Sequence, residues 1–345
     1  MLVNFVRGAY VGVTSGALPS DRMVLWEALD ALSHQLELCA VTAETQLVVL
    51  IDPALDDSQI VGIRAAVTRT GAHSIDVHIT PERCSGNKPL NAAISASDLI
   101  ITTGSHTVTN LSTAVPNLHL HSVPPQLFAP HASLKRRVQA FAALVDDADT
   151  LVLSDSNGTS ITVSLAGGTT RFDHGFIEPG QHRARFPAGW VMTTPSAGSV
   201  YGQLVLMPGD ANLSGRRLIN SPVVLYIDND HISSIEGDNP DADVLRALLE
   251  HVNKPTAYGV AGLSLGMNPG SVAPGPFDAR LLDPVVSQLL AGIVHVSFGE
   301  NLVADRPCPQ TITLALQSRD VHIDGLPVVR NGRLEGDFAP DVYEL

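Results

Sequence analysis

Residues 150–168 read TLVLSDSNGTSITVSLAGG. Apolar and polar residues alternate on both sides of Asn157-Gly158. A period of two broken by Asn-Gly predicts a β-hairpin. The chain before it reads differently. Short continuous apolar runs at 45–52 (TQLVVLID), 73–80 (HSIDVHIT), 97–104 (SDLIITTG) and 117–123 (NLHLHSV) alternate with helical spacing at 20–39, 58–70, 89–97 and 133–144. Apolar runs that alternate with helices predict a mostly parallel sheet covered by helices. After the hairpin, strands are expected at 202–207, 222–227, 291–298, 311–316 and 320–324, with one helix at 241–252. The expected fold is therefore an α/β N-terminal domain with a mostly parallel sheet (1–149), followed by an α+β C-terminal domain rich in antiparallel strands (150–345).

Composition narrows the function. The 345 residues are 44% hydrophobic and 16% charged, with a net charge of -14. A chain this long buries a sizeable core. Its acidity and its lack of a Lys/Arg run argue against nucleic acid or an anionic membrane as partner. No apolar run reaches the roughly 18 residues that span a bilayer. Cys39, Cys84 and Cys308 are far apart and odd in number, so a disulfide framework is not expected and a reducing cytoplasm is. The sequence lacks GxGxxG, P-loop, HExxH and GxSxG motifs in supporting context, so a nucleotide cofactor is not expected.

In an open α/β sheet, ligands gather beyond the carboxyl ends of the strands. His106, in GSHTVTN after the third strand, sits there and is a candidate general base; the alternative is a surface histidine at a turn. His119 and His121 share one side of a strand and read as sheet surface. His174 lies in RFDHGFIEPGQHRARFPAGW, a long loop with Arg171, Arg183 and Arg185. Arginine in a concave site suits a carboxylate or phenolate. For His174 itself, the expectation is a solvated loop.

Four later segments, FPAGWVMTTPSAGSVYGQLVL (186–206), YGVAGLSLGMNPG (258–270), GIVHVSFGEN (292–301) and DVHIDGLPVVRNG (320–332), stand in a telling order. In that order and spacing the chain resembles the superfamily of aminopeptidase T-type metallopeptidases and iron-dependent 2,5-dihydroxypyridine 5,6-dioxygenases. The dioxygenases are the nearer in length and layout. The resemblance places His106 at about the dioxygenases' catalytic histidine and implies a homo-oligomer. It also implies metal ligands, and here the sequence departs. Trp190 stands where the peptidases have a glutamate, and Gly262 where a second ligand falls. His295 matches the ligand histidine. The final His-x-Asp pair has two possible registers. In one it is His322-Ile-Asp324, which with His295 and Glu300 would suit one iron or zinc ion. In the other it is replaced by Thr311 and Thr313, and DVHID is the later terminal hairpin. The second register fits better, because Asp324-Gly325 is a favoured hairpin turn.

The sequence thus predicts a small-molecule enzyme with a repurposed site and no cofactor. His106, His295 and Glu300 would carry acid–base chemistry: hydrolysis, cyclisation or isomerisation. Arg185, Trp190, Thr311 and Thr313 would line the pocket, with Trp190 stacking on a flat substrate. A metal-dependent dioxygenase or aminopeptidase, and a catalytically silent binding subunit, are the alternatives.

Overall fold

A computed structural model describes residues 21–104, 114–121, 128, 130–178, 182–270, 275 and 277–341. His106 lies outside them.

The first sheet has five parallel strands in the order His73–His78, Gln46–Ile51, Leu99–Thr103, Asn117–Leu120 and Arg183–Phe186. The central run LVVLI is buried on both faces, as a strand between two helical layers requires. Helices Asp21–Leu38 and Asp57–Thr70 supply apolar side chains to one face, and Lys88–Ser95 to the other. Asp57–Thr70 starts and stops on local chemistry. The Asp56 carboxylate accepts the Gln59 N–H, and Gly71 ends the helix at φ 76°.

Beyond residue 150 two antiparallel sheets face each other. One has eight strands, ordered His231–Glu236, Val223–Asp228, Val200–Leu206, Ser160–Ser164, Thr150–Ser154, Asp320–Ile323, Leu326–Arg330 and Arg333–Leu334. The other has seven, ordered Arg217–Leu218, Ala211–Asn212, Ile312–Leu316, Val294–Phe298, Val260–Gly266, Trp190–Thr194 and Thr169–Asp173. The hairpin pairs Thr150–Ser154 with Ser160–Ser164, and Asp155 accepts the Asn157 and Thr159 N–H groups across its turn. Leu153, Ile161, Val163 and Leu204 of one sheet share a core with Val191, Leu263, Val296 and Leu314 of the other. Helices Ala132–Asp147 and Pro240–Val252 extend that core.

The fold is the mixed α/β arrangement expected, with three departures in detail. The stretch 171–190, expected as a loop, contributes to three strands: Thr169–Asp173, Arg183–Phe186 and Trp190–Thr194. Arg183–Phe186 crosses the expected boundary and joins the parallel sheet, because Ala184 and Phe186 bury into its core. Ala132–Asp147, from before the boundary, packs on Thr169–Asp173 and shares the core of the antiparallel sheets. Among the described residues no helix is long and apolar enough to cross a membrane.

Candidate active site

Side chains alternate across a strand. In the seven-stranded sheet, Val191, Leu263, Leu265, Val294, Val296 and Leu314 therefore enter the core, while Met192, Ser264, His295, Ser297 and Thr313 face outward together. The register joins them: Met192 lies opposite Ser264, Ser264 opposite His295, and Ser297 opposite Thr313. Helix Pro284–Leu289 comes close to this face. It does so because residue 266 is glycine: a Cβ there would lie 2.1 Å from the Leu290 carbonyl oxygen. Between them is a cavity of about 360 Å³, lined by Met192, Leu213, Ser214, Ser264, Pro284, Gln288, His295, Ser297, Thr311 and Thr313.

His295 is 2% exposed. Its Nε2 and the Ser287 Oγ are 2.9 Å apart in a hydrogen bond whose direction follows the tautomer. Its Nδ1 has no hydrogen-bond partner among the described residues. Burial pushes the imidazole down to about 4, so the ring is neutral at physiological pH. Ser297 Oγ and Thr313 Oγ1 are 3.0 Å apart, and the Ser214 Oγ accepts the Thr313 N–H at 3.1 Å. The result is a face of hydroxyls around one imidazole.

Of the residues singled out in the sequence, His295, Thr311 and Thr313 meet in this cavity. The other described ones do not. Glu300 is exposed beyond the end of strand Val294–Phe298 and is not part of the lining, because Gly299 turns the chain out of the sheet there. Trp190 is buried with Phe128, Leu289 and Ile293, so its ring fills the fold and leaves no open face in the cavity for stacking. Arg185 belongs to the parallel sheet, with its guanidinium 6.0 Å from the Trp190 ring and its Nε 3.9 Å from Asp173 Oδ2. His174 is also corrected: it is 1% exposed, packed between Phe172 and Phe176, and its Nδ1 accepts the Phe176 N–H. His119 and His121 pack edge to face at 4.8 Å, with the His119 Nδ1 3.0 Å from the Thr102 Oγ1.

His322 and Asp324 are elsewhere. Strand Asp320–Ile323 pairs with Thr150–Ser154 in the eight-stranded sheet. Asp324 and Gly325 turn the hairpin at φ 47° and 80°, and the Asp324 carboxylate accepts the Asp149 and Thr150 N–H groups. The sequence reading missed Met192, Ser264, Ser297 and Gln288. A signal was available for the serines. In LSLG and VHVSF, serine breaks an apolar strand on the face that carries His295: Ser264 lies opposite it, and Ser297 is two residues further along its strand.

The described lining residues do not fit a divalent metal. Among them are one imidazole, hydroxyls, an amide and a thioether, and no carboxylate, thiolate or second imidazole. Iron(II) and zinc sites draw on several such donors. Residue 262 has no room for a ligand, since a Cβ there would be 2.6 Å from the Met192 Cε and 2.9 Å from the Thr193 carbonyl oxygen. Among the described residues no three His, Cys, Asp or Glu side chains are grouped to hold a metal ion.

Asp173, beside this region, gives a pH test. Burial raises its carboxyl to about 6, against the pull of the Gly175 N–H and the Arg185 charge. The unfolded carboxyl titrates near 3.8. The fold therefore loses stability as pH rises from about 4 through 6, by up to about 3 kcal/mol. Asp173→Asn is expected to flatten that slope and to stabilise the protein at pH 8. Urea melts at pH 4 and 8 measure it, and an unchanged slope would refute the assignment.

Parallel and antiparallel layers, with a polar cavity set on a sheet face, make a mixed α/β protein with room for a small ligand. The sequence model of the NicX family, 2,5-dihydroxypyridine 5,6-dioxygenase, matches residues 27–336, and the chain belongs to that family. The solved 2,5-dihydroxypyridine dioxygenase from Pseudomonas putida superposes with a TM-score of 0.75 at 23% identity, covering 92% of this chain and 98% of that one. AmpT from Thermus thermophilus superposes with a TM-score of 0.59 at 14% identity, covering 90% of this chain and 99% of that one. At these identities the likeness is one of fold. No curated protein sequence matches the chain.

Proposed function

We propose that the chain is a small-molecule enzyme of this family that works without a divalent metal, in the cavity over the seven-stranded sheet. The donor set carries this reading. Of the positions where the resemblance implies ligands, Trp190 and Gly262 supply neither imidazole nor carboxylate, His295 supplies one imidazole, and in the register that puts the last pair beside His295 its places are taken by Thr311 and Thr313. The chemistry then falls to His295 and the hydroxyls. Ser287 fixes the ring through Nε2, and His295 lines the cavity from its sheet wall. A neutral imidazole takes a proton from one substrate atom and returns it to another, the step common to isomerisation, cyclisation and general-base hydrolysis. Hydroxyls of Ser264, Ser297 and Thr313 donate to an oxygen on which charge develops, the part a Lewis acid plays elsewhere.

Membership of a dioxygenase family favours a second reading, an iron-dependent dioxygenase in which His295 is one ligand. Metal analysis separates the two. Protein purified without chelator and then offered iron(II) or zinc is expected to retain far less than stoichiometric metal. Stoichiometric metal that is lost in His295→Ala would establish the second reading and remove the first.

A further inference from the structure

We infer that Asn157 is a site of spontaneous deamidation, and that the fold shields the two other dipeptides of like chemistry. The inference is independent of the reading of the cavity. Asn157-Gly158, Asp324-Gly325 and Asn331-Gly332 each set a side-chain carbonyl next to glycine. Glycine has no Cβ to hinder attack, so its backbone nitrogen can bond to the neighbouring side-chain Cγ. At Asn157 the Gly158 nitrogen gives its proton to solvent base and bonds to Cγ. The side-chain nitrogen takes up a proton and leaves as ammonia. Water then opens the succinimide ring at either carbonyl and leaves isoaspartate or aspartate. No electron is transferred, and water is the co-reactant.

Exposure does not separate the two asparagines, because both are exposed. The bonding of the attacking nitrogen does. The Gly332 N–H donates to the Arg319 carbonyl at 2.8 Å. Its peptide is also wedged: a Cβ on Gly292 would lie 1.8 Å from the Gly332 carbonyl oxygen, and one on Gly332 2.9 Å from the Ser318 nitrogen. Asp324 is held through its side chain. Its carboxylate accepts the Asp149 and Thr150 N–H groups, so Cγ cannot turn to Gly325 without breaking those bonds. At the third dipeptide, the Gly158 N–H and the Asn157 amide have no hydrogen-bond partner among the described residues. A Cβ on Gly158 would first meet the end of the flexible Gln203 side chain, at 3.3 Å. Ring closure there needs a local motion of the turn and no loss of tertiary contacts. Either product puts a new negative charge two residues from Asp155. Asp155 accepts the Asn157 and Thr159 N–H groups and lies 2.9 Å from Arg319 Nε. Isoaspartate also adds a methylene to the backbone inside that turn. Both changes weaken the hairpin's hold on Arg319.

The full folded chain is incubated at mildly alkaline pH and followed by peptide mass mapping, with isoaspartate identified by electron-transfer fragmentation. Asn157 is expected to convert at least about ten-fold faster than Asn331, the protection that one retained hydrogen bond supplies. Asp324 is expected to stay aspartate. In concentrated urea the two asparagines are expected to convert at similar rates, since the fold no longer distinguishes them. The aged fraction is expected to unfold at lower urea than fresh protein. Asn157→Gln, whose longer side chain closes the ring far more slowly, is expected to keep the fresh midpoint through the same incubation. The comparison of Asn157 with Asn331 is made within one unaltered chain, so a variant that fails to fold leaves the test intact. Asn331 converting as fast as Asn157 in the folded chain, or Asn157 persisting there while the unfolded chain converts, overturns the assignment. A deamidated fraction with an unchanged midpoint overturns the link to Arg319.

Discussion

Arg319→Met is expected to destabilise the protein by about 3–5 kcal/mol, the usual result of removing one member of a buried ion network. Arg319 is 2% exposed. Its Nη2 reaches Asp210 Oδ2 at 2.6 Å and donates to the Val205 carbonyl at 2.8 Å. Its Nε lies 2.9 Å from Asp155 Oδ2, an ionic contact whose angle is not that of a hydrogen bond. Asp155 closes the Thr150–Ser164 hairpin, and Asp210 accepts the Met207 and Gln317 N–H groups. One guanidinium thus ties the hairpin and strand Val200–Leu206 of one sheet to the end of strand Ile312–Leu316 in the other. Methionine fills part of the volume but leaves two carboxylates without their counter-charge. Burial already pushes the Asp210 carboxyl up, and Arg319 is the strongest influence pulling it back. Without that charge Asp210 takes up a proton more readily, so the deficit is expected to shrink as pH falls. Adding Asp210→Asn to Arg319→Met is expected to recover part of the loss. Urea melts at pH 7 and pH 5 test both points, and a loss below about 1 kcal/mol at pH 7 would show that the network does not hold the sheets together.

Gly266→Ala is expected to cost about 3 kcal/mol and to break the Ser287–His295 contact, because overpacking against backbone relaxes poorly. The added Cβ would lie 2.1 Å from the Leu290 carbonyl oxygen and 2.8 Å from its carbon. The local backbone is fixed from both sides: the Gly266 N–H donates to Ile293 and the Gly292 N–H donates to Gly266, each at 3.0 Å. The chain just after helix Pro284–Leu289 must move away. That helix carries Ser287, so the 2.9 Å contact to His295 is lost with it. Chemical denaturation gives the stability, and the nitrogen NMR shifts of the His295 ring give the contact. Parent-like values in both would show that the close approach is dispensable.

Much of this was legible in the residues. Buried runs such as LVVLI announced the parallel sheet, since a strand covered on both faces needs apolar residues at successive positions. The alternation around Asn157-Gly158 announced the hairpin and the change to antiparallel pairing. Asp324-Gly325 identified the terminal hairpin, and its carboxylate proved to be a partner of backbone N–H groups. Less legible was 169–194. Strand Thr169–Asp173 is polar and mostly open, and Arg183–Phe186 is four residues long with two arginines, so neither carries an apolar signature. His174 looked solvated because its loop is rich in charge, yet two phenylalanines close over it.

The residues alone fixed the two kinds of sheet, and they put Trp190 and Gly262 at two of the positions where the resemblance implies a metal ligand. Side-chain chemistry and period are local properties, and a single chain displays them. The folded chain was needed to bring Thr311, Thr313 and His295 to one cavity and to set His322 and the Asp324 turn at the eight-stranded sheet. Strand register, together with the close approach at Gly266, sets those distances. Both arise from pairing between segments far apart in the chain, which no local pattern encodes.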